Sequence, residues 1–137
     1  YIFDMNLMLD FDCTVVKGPY PLIDKPVPGA IETLLLMQEK HHIILNTYRA
    51  NISQEDLAVA VDYLTKRGIY LSYVLPSKKD PPDFIVSNSV KRASILKISM
   101  DIYIDDQARY IPLISDGKHQ FVDWERVKKI FIKEGLL

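Results

Sequence analysis

The chain offers little sulfur chemistry: among its 137 residues Cys13 is the single cysteine. One thiol excludes an internal disulfide framework and a multi-thiolate zinc site, and it fits a reducing compartment. Excess charge of one sign is lacking as well. Lys and Arg total 17 against 18 Asp and Glu, a formal net charge of -1, so no bulk positive field draws nucleic acid or an anionic membrane surface. Nucleic acid is therefore not indicated as a partner. Long hydrophobic runs are missing too. Stretches such as Ile69 to Leu75 fall far short of the roughly 20 residues of a membrane-spanning helix, and no charged leader precedes a signal-like apolar region. No membrane contact is expected, and the expected location is the cytoplasm. Internal repeats and breaks in composition are also absent, which leaves a single domain over 1–137.

What is present points to a folded α/β chain. A hydrophobic fraction of 48% with 26% charged residues is ordinary for globular proteins and excludes disorder, a collagen-like fibre and a coiled coil. A chain of this length buries roughly two-thirds of its unfolded surface, enough for one core without staples. Met5 to Phe11 is an apolar run too short for a helix and ending in acidic residues, so it reads as a buried parallel strand. Lys17 to Pro28, with four prolines and Gly18, breaks regular structure and predicts an excursion or small flap at that strand's exit. Helical spacing of Ile31, Leu34, Leu35 and Met37 predicts a helix over 29–40, ending in Lys40, His41 and His42. Ile43 to Asn46 reads as the second strand. Ser53 with Asp56 three residues on opens a second helix, with Leu57, Val61 and Leu64 inward and Gly68 as its stop. Ile69 to Leu75 reads as the third strand, Pro76 to Phe84 as a loop, Ser89 to Ile98 as a short helix and Ile102 to Ile104 as the fourth strand. A short edge strand over His119 to Val122 and a closing helix over Asp123 to Lys133, with Trp124, Val127, Ile130 and Phe131 inward, complete the pattern. Alternating helices and strands imply a Rossmann-like three-layer α/β/α sandwich around a central parallel sheet.

The chemistry gathers at strand ends, where open α/β sheets place their sites. Asp10 and Asp12 flank Phe11 and face the same side if the pleat continues. Two carboxylates held together repel, and a hard divalent cation with oxygen ligands, magnesium above all, relieves them. A lone strand-end Asp is as readily a turn cap. Asp105 and Asp106 repeat the arrangement after a second apolar strand, however, and two acidic pairs on one parallel sheet are hard to ascribe to capping. Thr47 also ends a strand, and Lys97 precedes the late acidic pair. A hydroxyl, an ammonium and a metal together supply what a transferring phosphoryl group needs. Taken singly, Thr47 is an ordinary β-branched strand residue and Lys97 a solvated helix residue.

At these residues the chain resembles the haloacid dehalogenase (HAD) superfamily. Leu9-Asp10-Phe11-Asp12-Cys13-Thr14-Val15 is similar to its first motif, Thr47 after Ile43-Ile44-Leu45-Asn46 to the second, Lys97 to the third, and Ile102-Tyr103-Ile104-Asp105-Asp106 to the fourth in double-aspartate form. The order is the family's, and the resemblance spans nearly the whole chain. Its nearest look is to the small capless bacterial and phage hydrolases, which carry a similar Pro-Gly-Ala-Ile-Glu-Thr-Leu helix and a turn like Thr47-Tyr48-Arg49. What the resemblance implies is a magnesium-dependent phosphatase without a large cap domain. Asp10 would attack phosphorus to give an aspartyl-phosphate, and Asp12 would protonate the leaving oxygen and then activate water. Thr47 and Lys97 would hold the phosphate, while Asp10, Asp12, Asp105 and Asp106 form the Mg2+ site. Arg49 is an expected substrate contact, or else a solvent-facing loop arginine.

Two positions depart from the family's pattern: Cys13 stands where glycine is usual, and Asn46 where a bulky apolar residue is common. If the turn after Asp12 needs positive φ, Cys13 is strained there. A cysteine phosphatase is excluded, because the residue six after Cys13 is Pro19 and no phosphate-cradling glycine loop follows. A receiver-like phospho-acceptor module uses similar residues in a different chain order. A catalytically degenerate HAD-fold binding protein is the other alternative. With spans too short for a large cap, the expected partner is a phosphorylated small molecule or macromolecular end, or a small substrate covered by a second subunit of a homo-oligomer. Lys78 and Lys79 are either anion attractors or solvated loop charges.

Overall fold

Four short segments of the chain are extended and apolar enough to pair, and in the computed structural model they form one parallel sheet. The structure describes residues 4–23, 25–75, 85–87, 90–91 and 101–137. Strand β1 (Asn6–Leu9) lies between β2 (His42–Leu45) and β6 (Ile102–Ile104), in register Leu7↔Ile43 and Leu9↔Leu45 on one side, Leu7↔Ile102 and Leu9↔Ile104 on the other. Strand β3 (Tyr73–Val74) pairs with β2, giving the order β3-β2-β1-β6. The chain therefore runs outward from β1 to β3 and returns to the other flank of β1. In such sheets the crevice beyond the carboxyl ends at the reversal receives ligands. Leu7, Leu9, Ile43, Leu45, Val74 and Ile104, neighbours on one face of the sheet, are all buried, while on the other face Ile44 is buried but Tyr73 and Tyr103 are about half exposed, so the main core lies on one side.

Helices flank this sheet, each built from a local signal. Helix α1 (Ala30–Met37) begins after Gly29, whose φ of 82° suits glycine and whose missing Cβ would stand 3.3 Å from Trp124 Cβ. That close approach seats the start of α1 against α3 (Trp124–Lys133), and a side chain at position 29 would push the two apart. Helix α2 (Gln54–Lys66) is capped by Ser53, whose Oγ accepts from the Asp56 amide at 3.0 Å, as the sequence predicts. It buries Leu57, Ala60, Val61 and Leu64. Helix α3 is capped by Asp123 and buries Trp124, Val127 and Phe131. Among the described residues, no helix is long and apolar enough to cross a membrane.

Several expectations need correction. Ile130, read as inward, is 46% exposed. Helical spacing fixes a face, but the neighbouring elements decide how far round it is covered. The third strand shrinks to Tyr73–Val74, although Ile69 and Leu71 stay buried. The strand expected over 119–122 exists as β8 (Gln120–Val122), but it pairs with β7 (Leu113–Ser115) in a separate antiparallel hairpin rather than on the main sheet. Val90–Lys91 is not helical: it forms β5, antiparallel to β4 (Ile85–Ser87). The loop expected over Pro76 to Phe84, with Lys78 and Lys79, lies outside the described residues, as does 92–98 of the expected helix.

The proline-rich excursion is an ordered fold-back. Lys17 N donates to Lys25 O at 3.0 Å and Val27 N to Val15 O at 2.7 Å. Those two bonds clip its ends together beside β1 and set Tyr20 over the sheet's carboxyl edge.

Candidate functional site

The site starts where β1 stops being a strand. The Asp10 amide still donates to Ile104 O at 2.9 Å, and Asn46 N to Leu9 O at 2.8 Å, so the carboxyl ends of three strands are tied at one level. The chain then turns. The amides of Thr14 and Val15 both reach Phe11 O, Cys13 N donates to Val16 O, and Cys13 adopts φ 61°. The left-handed turn that the missing glycine would favour therefore forms with a cysteine in it. Burial, with Asp106, Asp12 and Asp10 nearby, pushes the Cys13 thiol up to about 11, which leaves it un-ionised at neutral pH and a poor nucleophile.

Thr14, fully buried, joins the two acidic strand ends. Its Oγ1 donates to Asp10 Oδ2 at 2.9 Å and accepts from the Asp106 amide at 3.1 Å, while its carbonyl accepts from Trp124 Nε1 at 2.6 Å. One oxygen from each of Asp10, Asp105 and Asp106 lies within 4.8 Å of the others. Burial, with the Asp105 charge second, raises Asp10 to about 8, and Asp105 is also raised by burial. Such a cluster of half-buried carboxylates is electrostatically unfavourable as three anions and fits a small hard cation. Six oxygens around magnesium at roughly 2.0 to 2.1 Å stand about 3 to 4 Å apart, within small side-chain movements of the separations here.

Asp12, expected among the metal ligands, stands apart from this trio. Its carboxylate faces Arg49, which gives it a two-pronged ion pair: Nε to Oδ2 and Nη2 to Oδ1, both 2.9 Å. Arg49 was expected at the substrate or in solvent. It lines the cleft, yet is not solvent-facing: it is buried to 2% exposure, with its guanidinium 5.3 Å from the Phe11 ring and 4.9 Å from the Tyr20 ring. Remaining donors reach the carbonyls of Asp56 and Pro21, each at 3.4 Å. Tyr20 closes the stack, its hydroxyl donating to Asp56 Oδ2 at 2.6 Å. Such a pairing satisfies a charge that would otherwise be costly at this depth.

Thr47 caps a short 3-10 helix (Tyr48–Asn51), its Oγ1 accepting from Arg49 N at 3.2 Å, and so keeps its own proton free to donate. Asp10, Asp12, Thr47, Arg49, Asp105 and Asp106 all line one cleft of about 620 Å³. That volume is within the range of small-molecule sites. Lys97, the remaining expected member, lies outside the described residues. Sequence reading missed Thr14 as a bridge, Tyr20 as the cover of Arg49, and Trp124 as the anchor of the turn. Of these, Thr14 carried a signal, since its spacing from Asp10 places it on the same turn.

No family model matches the chain, and no curated protein matches it. Among solved structures it is similar to a conserved protein coded by a locus of Bacteroides thetaiotaomicron, with 30% identity, a TM-score of 0.66, and coverage of 96% of this chain and 92% of that one. The parallel four-stranded sheet with flanking helices is consistent with a Rossmann-like α/β fold. At this identity and coverage the chain belongs to the same family as that Bacteroides protein.

Proposed function

We propose that the chain is a magnesium-dependent phosphohydrolase with a HAD-like three-layer α/β/α fold and no large cap domain, acting through an aspartyl-phosphate on Asp10. The observation that carries this reading is the convergence of Asp10, Asp105 and Asp106 within 4.8 Å at the lip of a cleft that Thr47 also lines. Capping does not account for three clustered carboxylates on two parallel strands, whereas a divalent cation does. Asp10, Asp105 and Asp106 would hold magnesium, which when bound offsets negative charge on the phosphoryl oxygens.

The chain's own residues then divide the work. Asp10, oriented by Thr14 Oγ1, attacks phosphorus and splits a difficult displacement into two easier ones. Asp12 gives its proton to the leaving oxygen and takes one from the water that follows. Thr47 donates to a phosphoryl oxygen, and Lys97, on the strength of the motif resemblance, supplies positive charge there. Cys13 does not argue for a degenerate domain, because the turn forms around it and Asp12 still lines the cleft. The substrate class is a phosphomonoester, either a small molecule or a phosphorylated macromolecular end.

The test is hydrolysis of p-nitrophenyl phosphate with magnesium, with EDTA, and by Asp10→Asn. Turnover abolished by EDTA and by the substitution is the expected result. A folded wild type with no turnover across a panel of phosphomonoesters in magnesium would refute the reading.

A further inference from the structure

Arg49 is the most heavily committed cation among the described residues of the cleft. Both carboxylate oxygens of Asp12 receive one of its N–H groups at 2.9 Å, the Phe11 and Tyr20 rings lie 5.3 and 4.9 Å from its guanidinium carbon, and its side chain is 2% exposed against 20% for Asp12. Arg49 lines the cleft, but with these donors committed little of its guanidinium is left for a ligand. A carboxylate has about four acceptor sites on its two oxygens, and the arginine fork occupies one on each. Asp12 itself lines the cleft and keeps 20% of its side chain exposed. The fork thus fixes the plane of the carboxyl group rather than hiding it. A lysine has a single point of attachment and neither holds two oxygens nor lies against two rings in this way.

We propose that Arg49, held against Phe11 and Tyr20, is the positioning residue for Asp12 in proton transfer to the leaving group, and not a phosphate-binding residue. This rests on the phosphohydrolase reading above. In the step concerned, an Asp10 carboxylate oxygen bonds to phosphorus as the ester P–O bond breaks. The bonding pair passes to the leaving oxygen, which takes its proton from Asp12. Water then attacks the phosphoryl group, Asp12 takes a proton from it, the Asp10–phosphorus bond opens and inorganic phosphate leaves. Arg49 touches none of the reacting atoms. Its contribution is the orientation of the Asp12 carboxyl, and the Tyr20 stack places the proline-rich fold-back in the same assembly.

A role in proton transfer has a signature that neither phosphate binding nor simple structural support shares: sensitivity to the leaving group. An alkyl phosphate needs its oxygen protonated as the bond breaks, while p-nitrophenolate departs with little help. The experiment measures kcat/KM, which reports steps up to formation of the aspartyl-phosphate, for an alkyl phosphate and for p-nitrophenyl phosphate with wild type and Arg49→Lys. Far-UV circular dichroism confirms the fold. The expected result is a loss of about 100-fold on the alkyl ester, the scale of a general-acid contribution, and of less than about 5-fold on the aryl ester. Equal losses on both esters would overturn the assignment while leaving the phosphohydrolase standing. A wild type inactive on both esters would overturn the reading and the assignment together. If Arg49→Lys does not fold, Tyr20→Leu decides, since it removes one of the two rings without touching the ion pair. A loss about 5-fold larger on the alkyl ester supports the assignment, and an unchanged ratio of the two rates overturns it.

Discussion

Asp10 and Asp12 stand two residues apart on one turn and line one cleft, yet their surroundings are opposite. Asp10 is grouped with two further carboxylates and a single hydroxyl donor, and burial with the Asp105 charge raises it to about 8. Asp12 is matched by a buried guanidinium that donates one hydrogen bond to each of its oxygens. The first arrangement is strained without a cation from outside, whereas the second carries its own. The difference separates a cluster of like charges from a pair whose charges balance as folded. Removing a charge should accordingly have opposite effects at the two positions.

The largest expected effect is at the completed pair. Arg49→Ala leaves Asp12 part-buried without its partner and empties the space beside two rings, so a loss of about 3 to 5 kcal/mol is expected. Urea denaturation with an unchanged m-value measures it. A loss below about 1 kcal/mol would show the pair to be a surface contact. Thr14→Val comes next, because it leaves the Asp106 amide and Asp10 Oδ2 without their buried partner. A loss of about 1 to 3 kcal/mol is expected, with Thr14→Ser recovering most of it.

At the unfinished trio the sign reverses. Asp10 binds its proton more tightly folded, at about 8, than unfolded, at 3.8. Between those values the folded state holds more protons, so metal-free stability falls as pH rises from about 4 and levels above about 8. Asp10→Asn removes this slope and should stabilise the metal-free protein at pH 8 by about 1 to 2 kcal/mol. Thermal melts at pH 5, 7 and 9 in EDTA test it, and a wild type more stable at pH 9 than at pH 5 would sink the idea. Adding magnesium should raise the wild-type melting temperature at pH 8 and leave Asp10→Asn nearly unmoved. The smallest effect is Cys13→Gly, which relieves a side chain at φ 61° but loosens the unfolded chain. A net gain of about 0.5 kcal/mol is expected, read from the denaturation midpoint.

The same contrast marks what was legible in the sequence. The acidic trio was readable because each member follows an apolar strand, and strand ends of a parallel sheet converge. Positive φ at Cys13 entered the sequence reading only as a condition, through the glycine usual at that position in the resembled family, and φ there is 61°. Arg49 was not readable, since its partner lies 37 residues away and nothing local distinguishes a buried loop arginine from a solvated one. Tyr20 was hidden in a segment whose prolines announce an excursion but not its direction. The helices α1, α2 and α3 were found through caps and spacing, whereas the hairpin of β7 and β8 was only half seen. Leu113–Ser115 is three residues long with no buried member, too short to show an alternation.

The turn that carries both aspartates is closed by residues from the far end of the chain. Val122 N donates to Cys13 O at 3.3 Å, and Trp124 Nε1 to Thr14 O across 110 positions. At synthesis rates of about 5 to 20 residues per second, roughly 6 to 20 seconds separate the appearance of Thr14 from that of Trp124. A nascent chain on the ribosome therefore carries its acidic residues long before they can be arrayed. Closure of this turn is a late event in the life of each molecule, waiting on residues 122 and 124.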